Sequence, residues 1–587
     1  MKQQVLFFFF TLMLTGISVS AQTGGGRIAG VVIDNAGEEP LPGATIFIEE
    51  LKKGIVTDGH GEFLLSDVPA ATYTLTVRFI GYHTQTRKLT VGKERGKKII
   101  IRLKAEAKSL DEVVVMGKSE ARKLREQAMP ISVISMNQIQ GTVNNVQDIL
   151  AKTAGITVRA TGGTGSTSRI SVRGLEGKRI GLFIDGNPMN DNSDFIDIND
   201  IPVEMIDRIE IYKGVVPAKF GGSAVGGAVN IVIKEYPPKY LDVNYSYGSF
   251  NTHNASVVSK MNIAPKGIEF GLGGFYTYAD NDYKMKSPFQ EGLTITRDHD
   301  KFKKTVIGGS FKARKWWFDL VEFEPVFIHT YKDIQGIESN IRHAHSHSNA
   351  FIFANKMEKE NFLLDGLDLD WQLGYIYTDY HFADTASHRT HWDGTHYPAV
   401  SEFGGEIGKW ASLLTNEKHQ LQHKLNLNYL VNENHSVNFN SLLKYAHANP
   451  RDGMKDKVIG YRTDFPSNMF SWVAGLNYDY RTSNDKFLNS FNVKYYYYSM
   501  KTRMASVLVK TAEDIDTHKN DFGISNALRY RITPSLMAKA SFGYDVRLPS
   551  EEELLGDGYV IAPAGNLTPE RNISVNIGML FLSLIHI

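Results

Sequence analysis

The sequence predicts a mainly β protein in three parts: an N-terminal β-sandwich, a mixed α+β segment, and an incomplete antiparallel transmembrane β-barrel. Three observations predict it. The chain opens with an apolar run, Val5 to Val19, of leader length. No later stretch holds the ~18 consecutive apolar residues of a spanning helix. From Tyr240 onward the hydrophobic period is two and stays two. An exported chain without such helices can cross a bilayer only as a closed barrel, because lipid offers no partner to exposed backbone N–H and C=O groups.

The leader comes first. Met1-Lys2-Gln3-Gln4 precedes the apolar run, and Val19-Ser20-Ala21 places small residues where signal peptidase cuts. Residues 1–21 therefore read as a signal peptide, with Gln22 as the mature start. An N-terminal anchor would need ~20 apolar residues, and this run is shorter.

Residues 27–104 form the sandwich. Short alternating runs (Ile28 to Ile33, Ala44 to Ile48, Glu62 to Leu65, Tyr73 to Phe79) are divided by turns such as Pro40-Leu41-Pro42-Gly43 and Thr57-Asp58-Gly59-His60-Gly61. Regular short strands with Gly, Pro and Asp between them favour a small two-sheet domain. An inert spacer and a contact domain for periplasmic partners are both open readings.

Residues 105–127 are a charged linker interrupted by Leu110-Asp111-Glu112-Val113-Val114-Val115. Three valines in a row favour extended backbone. With no sheet of its own, such a segment suits β-augmentation, adding a strand to a partner's sheet edge. The other reading makes it the last strand of the sandwich.

Residues 128–236 are the α+β segment. Val146-Gln147-Asp148-Ile149-Leu150 predicts a short helix ending near Ala154-Gly155, and Ile156-Thr157-Val158-Arg159 a strand. Thr161 to Ser168 is a loop of small residues. Gly221-Gly222-Ser223-Ala224-Val225-Gly226-Gly227 is Gly-rich, but no Lys-Ser/Thr pair follows, so a phosphate cradle is dismissed.

Residues 237–581 are the barrel. Leu241, Val243, Tyr245 and Tyr247 alternate with Asp242, Asn244 and Ser246, and Leu367 to Tyr377 repeats the pattern. Tyr495-Tyr496-Tyr497-Tyr498 suits an aromatic girdle at a bilayer interface. Connections near 264–267, 432–435 and 533–535 are tight, and those near 280–302, 381–419 and 447–469 are long. Short turns belong in the periplasm and long loops outside, where a ligand is first caught.

Composition limits the chemistry. Lys and Arg number 65 against 64 Asp and Glu, a formal net charge of +1, which argues against nucleic acid as a partner. There is no cysteine, so disulfide frameworks and thiolate metal sites are excluded. Neither a Gly-x-Ser-x-Gly elbow nor a His-Glu-x-x-His motif occurs, so we expect no enzyme and no cofactor. His343, His345 and His347 place three imidazoles on one strand face and are candidates for a metal or metal chelate; a polar cluster without a ligand is the alternative. His381, His388, His391 and His396 follow, with Trp392, Tyr397 and Trp410 able to stack on a chelator or a sugar.

Four blocks carry a resemblance: Ile170-Ser171-Val172-Arg173-Gly174, Ile184-Asp185-Gly186, Arg208-Ile209-Glu210-Ile211-Tyr212-Lys213-Gly214 and Gly226-Gly227-Ala228-Val229-Asn230-Ile231. In this order they resemble the plug domain of TonB-dependent outer-membrane receptors. The motif residues are Arg173, Gly174, Asp185, Gly186, Glu210, Lys213, Gly214, Gly226, Gly227 and Asn230. Pro42-Gly43-Ala44, Gly61-Glu62-Phe63 and Gly81-Tyr82 resemble the carboxypeptidase-regulatory-like domain, which often precedes the plug; no His/Glu zinc site accompanies them. Leu110 to Val115 resembles the TonB box. Val546-Arg547-Leu548-Pro549-Ser550 with Gly565-Asn566-Leu567-Thr568-Pro569-Glu570 resembles a late-barrel signature that several strands normally follow. By that resemblance the chain is C-terminally truncated, with roughly 14 strands against the 22 of complete transporters. Leu582 to Ile587 reads as a non-native tail.

The resemblance implies location in the outer membrane and active uptake driven by the inner-membrane TonB protein through residues 110–115. The glycan-importing branch usually reads Leu-x-Gly-Lys-x-x-Gly before the plug apex. Here Leu150-Ala151-Lys152-Thr153-Ala154-Gly155 stands instead, favouring a siderophore, haem or other metal complex as ligand. A glycan importer working with a surface lipoprotein is the alternative, and an adhesin or sensor without transport is another.

Overall fold

A computed structural model describes residues 26–582 except 36–38, 80–81, 93–97, 105–119, 136–145, 161, 190–197 and 199–200, and except 264–266, 289, 315, 337, 399–403, 409, 507–509, 556–563 and 565 in the connections of the largest sheet. The signal peptide and residues 110–115 lie outside the described residues. The chain divides into two compact units, residues 1–118 and 119–587.

The first unit contains β1 (Gly26–Asp34), β2 (Thr45–Ile48), β3 (Lys53–Val56), β4 (Glu62–Val68), β5 (Thr72–Arg78), β6 (Gln85–Thr90) and β7 (Ile99–Leu103). They form two sheets, β4-β1-β7 and β3-β2-β5-β6. Alternate residues of both, among them Val32, Ile46, Ile48, Leu75, Ile101 and Leu103, share one core. Period-two apolar patterning is what two facing sheets require. Thr57 pins a turn by accepting from Ala44 N (2.9 Å) and donating to Leu41 O (2.7 Å).

The second unit begins with an inner domain. Its elements are α1 (Glu120–Arg125), β8 (Ile131–Ser135), α2 (Val146–Ala151), β9 (Ile156–Ala160), β10 (Ser168–Val172), β11 (Leu175–Glu176), β12 (Gly181–Ile184), β13 (Asn187–Pro188), β14 (Ile206–Tyr212) and β15 (Ala228–Ile233). A five-stranded sheet, β13-β12-β15-β14-β8, lies with a three-stranded one, β11-β10-β9. Ile209, Ile211, Val229 and Ile231 are fully buried and share a core with Leu150 of α2 and Val172 of β10. Runs buried on both faces read as continuous hydrophobic stretches.

Fourteen antiparallel strands follow: β16 (Lys239–Gly248), β17 (Thr252–Ile263), β18 (Ile268–Ala279), β21 (Phe302–Ala313), β22 (Leu320–Asp333), β23 (His345–Lys359), β24 (Leu367–Asp384), β27 (Ser412–Asn432), β28 (His435–Asp452), β29 (Ser467–Arg481), β30 (Phe487–Ser506), β31 (Thr511–Arg531), β32 (Leu536–Arg547) and β33 (Glu570–Phe581). Two hairpins stand in the connections: β19 (Tyr283–Lys286) with β20 (Thr294–Arg297), and β25 (His388–Thr390) with β26 (His396–Pro398). Among the described residues β16 and β33 do not pair with each other. One face is apolar and open: Leu241 and Val243 are 71% and 72% exposed. The other face carries Lys424, Asn426, Asn440 and Asn492, all buried.

The sheet curls around the inner domain. Asn572 of β33 donates to Val225 O (2.9 Å), Lys424 of β27 to Gly186 O (2.7 Å) and Lys332 of β22 to Gly165 O (2.8 Å). A small void is lined by Pro202 and Met205 on one side and by Tyr240, Asp242 and Ser256 of β16 and β17 on the other. Fourteen strands laid flat at ~4.8 Å spacing would span roughly 60 Å. A compact domain of ~100 residues has a radius of gyration of only ~13 Å. One such domain reaches both ends of the sheet only if the sheet curls around it.

Two expectations need correction. The four tyrosines do not form one girdle. Strand alternation sends Tyr496 and Tyr498 inward, 1% and 0% exposed, and only Tyr495 and Tyr497 join the outer face with Trp472 and Phe470. Strands also run further into the long connections than the sequence suggested: β24 extends to Asp384, β27 starts at Ser412, and β28 runs to Asp452. There α3 (Gly453–Ile459) starts, with Asp452 as its cap accepting from Lys455 N (3.0 Å).

Candidate functional site

The wall holds the inner domain at three levels. At the end with the long connections, the loop after β9 meets Asn281. Thr164 N donates to Asn281 Oδ1 (3.0 Å), and Asn281 Nδ2 donates to Thr164 O (2.8 Å) and Asp300 O (2.9 Å). Gly165 lies so close to Phe302 that a Cβ would come within 2.1 Å of its ring.

The middle level contains the motif residues. Arg173-Gly174 and Asp185-Gly186 are two-residue hairpin turns with positive φ at all four positions (51°, 86°, 48° and 75°). Type I′ turns demand that conformation, and Asp-Gly supplies it readily. The Arg173 guanidinium donates to Asn576 of β33 and, at 3.4 Å, to Lys213 O. Lys213 Nζ reaches Ala154 O (2.8 Å). Burial and then the neighbouring Arg173 hold the Lys213 ammonium below its ordinary pKa. A Cβ on Gly214 would come within 2.7 Å of Asn576 Nδ2. Asp185 Oδ1 accepts from Ile233 N (3.1 Å) and Gly186 N donates to Asn230 Oδ1 (2.9 Å).

Glu210 and Asn230 face each other across β14 and β15. Glu210 Oε2 accepts from Asn230 Nδ2 (3.0 Å) and the Tyr212 hydroxyl (2.9 Å), and Oε1 from Arg208 Nε (2.9 Å). A buried carboxylate is tolerated when its oxygens are all met in this way. Gly227 has φ 115°, and a Cβ there would lie 2.2 Å from Tyr212 O. Gly226 packs under Ile180 and Leu175. The motif therefore places a polar knot at the centre and two polar turns at the wall.

At the end with the short turns, Glu126 is clamped. Arg531 Nη2 meets Glu126 Oε2 (2.9 Å) and Asp485 Oδ2 (2.7 Å). Arg529, 2% exposed, donates to Glu126 O (3.1 Å) and Asp485 Oδ1 (2.6 Å). Lys539 Nζ donates to Arg125 O (2.6 Å) and Met129 O (3.1 Å). A further set joins Lys178 to Ser550 (2.8 Å) and Arg179 to Glu570 (2.5 Å). Sequence reasoning missed the clamp. Its only signal was charge at inward positions of otherwise alternating strands.

The histidines do not converge. His343 lies before β23 and its Nδ1 meets Glu406 (3.2 Å). His345 Nδ1 turns back to His343 O (3.0 Å), while His347 stacks on His381 at 4.4 Å. His347 shares its sheet face with the exposed Phe351 and Phe353, away from the inner domain. Of the others, His388 meets His396 at 4.5 Å and His391 stacks on Tyr397 at 4.0 Å. Among the described residues no three His, Asp or Glu side chains are placed to hold a metal. Three imidazoles at alternate positions share a strand face, but His343 precedes the strand.

Comparison with known families decides the identity of this arrangement. A model of the CarboxypepD_reg-like domain matches residues 28–115, one of the TonB-dependent Receptor Plug Domain residues 123–228, and one of the TonB dependent receptor-like β-barrel residues 325–583. The chain belongs to the TonB-dependent receptors. The inner domain is their plug, and their barrel is an outer-membrane structure. The receptor is 28% identical to TonB-dependent receptor P39 of Formosa agariphila over 249 residues, 41% of this chain and 23% of that one. It is 24% identical to the vitamin B12 transporter BtuB of Vibrio vulnificus over 265 residues, 44% of this chain and 43% of that one. The receptor thus spans less than half the length of these curated relatives. Among solved structures, the copper transporter OprC superposes with a TM-score of 0.60 at 14% identity, covering 77% of this chain and 71% of its own. The ferric yersiniabactin uptake receptor FyuA of Yersinia pestis does so at 0.56 and 12%, covering 78% and 70%.

Proposed function

We propose that the receptor imports a scarce metal complex, such as a siderophore, haem or another chelate, across the outer membrane. The observation that supports it is the polar seam between plug and wall. The plug is held by polar contacts to the wall, and a hydrated polar seam can part where an apolar one would lock. Residues 110–115 supply the strand that TonB pairs with and pulls, and α1 and the clamp at Glu126 follow directly. The departure at Leu150 to Gly155 from the glycan-branch pattern favours a chelate, and the BtuB relative is named a vitamin B12 transporter. Since the histidines are dispersed, the metal would stay inside its chelator and the receptor would read the chelator's surface.

Deleting residues 111–115 from the chromosomal gene tests the reading. Cells are offered radiolabelled iron–siderophores, haem, cobalamin and oligosaccharides. Surface binding of a metal complex without its uptake supports the proposal. Surface binding of an oligosaccharide alone, without its uptake, favours the glycan importer, and retention of all uptake refutes TonB dependence.

A further inference from the structure

Between plug and wall lies a cavity of about 100 Å³, bordered by Gly222, Ser223 and Ala224 of the plug and by Gln420, Gln422 and Ser471 of the wall. At ~30 Å³ per water it has room for about three waters, against the ~300–1,000 Å³ of a ligand site. It is too small for a whole cargo molecule in this structure. Its plug side is loosely held. Gly221 N donates to Ala218 O, and Val225 and Gly226 N to Arg179 O, but between them residues 222–224 make no backbone hydrogen bond among the described residues. Gly221 and Gly222 have φ 66° and 75°, a conformation that costs glycine little.

The wall side holds one acceptor without a donor. Gln420 is 9% exposed, and its Nε2 donates to Glu551 Oε2 (3.2 Å). Glu551 also takes Lys418 (3.1 Å). The amide is thereby oriented, and Gln420 Oε1 receives no hydrogen bond from the protein. Further along the same inward face, Asn426 and Asn440 sit opposite each other on β27 and β28. Both are buried, and the Oδ1 of each is likewise unmet, as is the Nδ2 of Asn440. A buried acceptor without a donor is unfavourable until a hydrogen-bonding occupant meets it. The cations that line the cavity are committed: Lys178 to Ser550 and Glu552, Arg547 to Glu553 and Glu570, and Lys444 is not free either. The site is therefore not built for an anion.

We propose that this cavity is a staging site within the import path, opened by movement of residues 222–224, and that it takes an uncharged, donor-rich part of the cargo such as amide N–H or hydroxyl groups. The row Gln420, Asn426 and Asn440 then forms the exit lane along β27 and β28. This rests on the uptake reading above.

The chain has no cysteine, so single thiols can be placed cleanly. Ser471→Cys reports the cavity, and Ser348→Cys reports a buried inward position on β23 elsewhere on the wall. Each is made in the chromosomal gene, with and without deletion of residues 111–115. Cells are treated with hydroxyethyl, sulfonatoethyl and trimethylammonioethyl methanethiosulfonates. In energised cells Ser471→Cys reacts with the hydroxyethyl reagent about tenfold faster than in the deletion strain, the change that a 1.4 kcal/mol shift in the opening equilibrium gives. It prefers that reagent to both charged ones, and Ser348→Cys does neither. Adding Gln420→Leu removes the preference while membrane insertion is kept. Equal behaviour at the two thiols, or equal entry of charged reagents, overturns the site. A preference at Ser471→Cys that survives deletion of 111–115 unchanged keeps the site and sinks the energised uptake reading.

Discussion

Glu126→Gln loosens the start of the plug and leaves its centre intact. It breaks two pairs: Arg531 with Glu126 at 2.9 Å, side chains 14% and 6% exposed, and the more exposed Arg122 with Glu126 at 3.1 Å. Removing one partner of a fully buried pair costs about 3–5 kcal/mol, and an exposed pair contributes about 0–1. Arg531 keeps Asp485 at 2.7 Å, and Arg529 keeps the Glu126 carbonyl at 3.1 Å, so part of the clamp survives. That sets the loss at about 1–3 kcal/mol, between the two limits. Each 1.4 kcal/mol is tenfold, so amide hydrogen exchange in residues 120–135 speeds up roughly 5- to 150-fold. Exchange in β14 and β15, behind the Glu210 knot, stays as it was. The assay is exchange mass spectrometry on detergent-solubilised receptor, with Arg531→Leu and the double variant completing the cycle. The reasoning fails if residues 120–135 change less than about twofold, or if β14 and β15 speed up equally.

Other outcomes follow from the same geometry. Gly227→Val drives a Cβ to within 2.2 Å of Tyr212 O at φ 115°, so it costs at least about 4 kcal/mol and leaves a plug that trypsin digests in the assembled receptor. Substituting His343, His345 and His347 together by alanine leaves uptake of any metal complex within about twofold, since these rings do not converge on a site. Asp485 carries a pH signature. Burial raises its pKa, but the bond from Arg529 and the charges of Arg529, Arg531 and Arg481 outweigh that, and the net shift is downward. A depressed carboxylate stabilises the fold above its unfolded pKa of ~3.9 and loses that contribution as pH falls through its lower folded value. Protection of residues 120–135 is therefore flat from pH 7 to about 5 and falls below about 4, and Asp485→Asn removes that acid step.

Much of the fold was legible because periodicity reports burial directly. Leu241 to Tyr247 and Leu367 to Tyr377 alternate since one face meets lipid and the other the plug. The Gly-punctuated blocks were legible because Arg173-Gly174 and Asp185-Gly186 need positive φ, which few residue types accept. Facing was harder. Tyr495 to Tyr498 are identical in type, so only the flanking Asn492 and Lys494, in step with Tyr496 and Tyr498, say which pair points inward. The pairing in the clamp was not legible: Glu126 and Arg531 are 405 positions apart, and only the curled wall brings them together. The histidines misled because spacing fixes a face only inside a strand, and β23 begins at His345.

The most direct test is of the plug's seat inside its wall. Receptor carrying Thr164→Cys with Asn281→Cys, and Val225→Cys with Asn572→Cys, is treated in native membranes with a short bismaleimide. Thr164 and Asn281 touch at the long-loop end, and Val225 touches the last strand. Both bridges forming within one molecule, near-stoichiometrically and without mixed products, is the predicted result. Bridging at one pair only, or links between separate molecules, would show that no single wall encloses the plug.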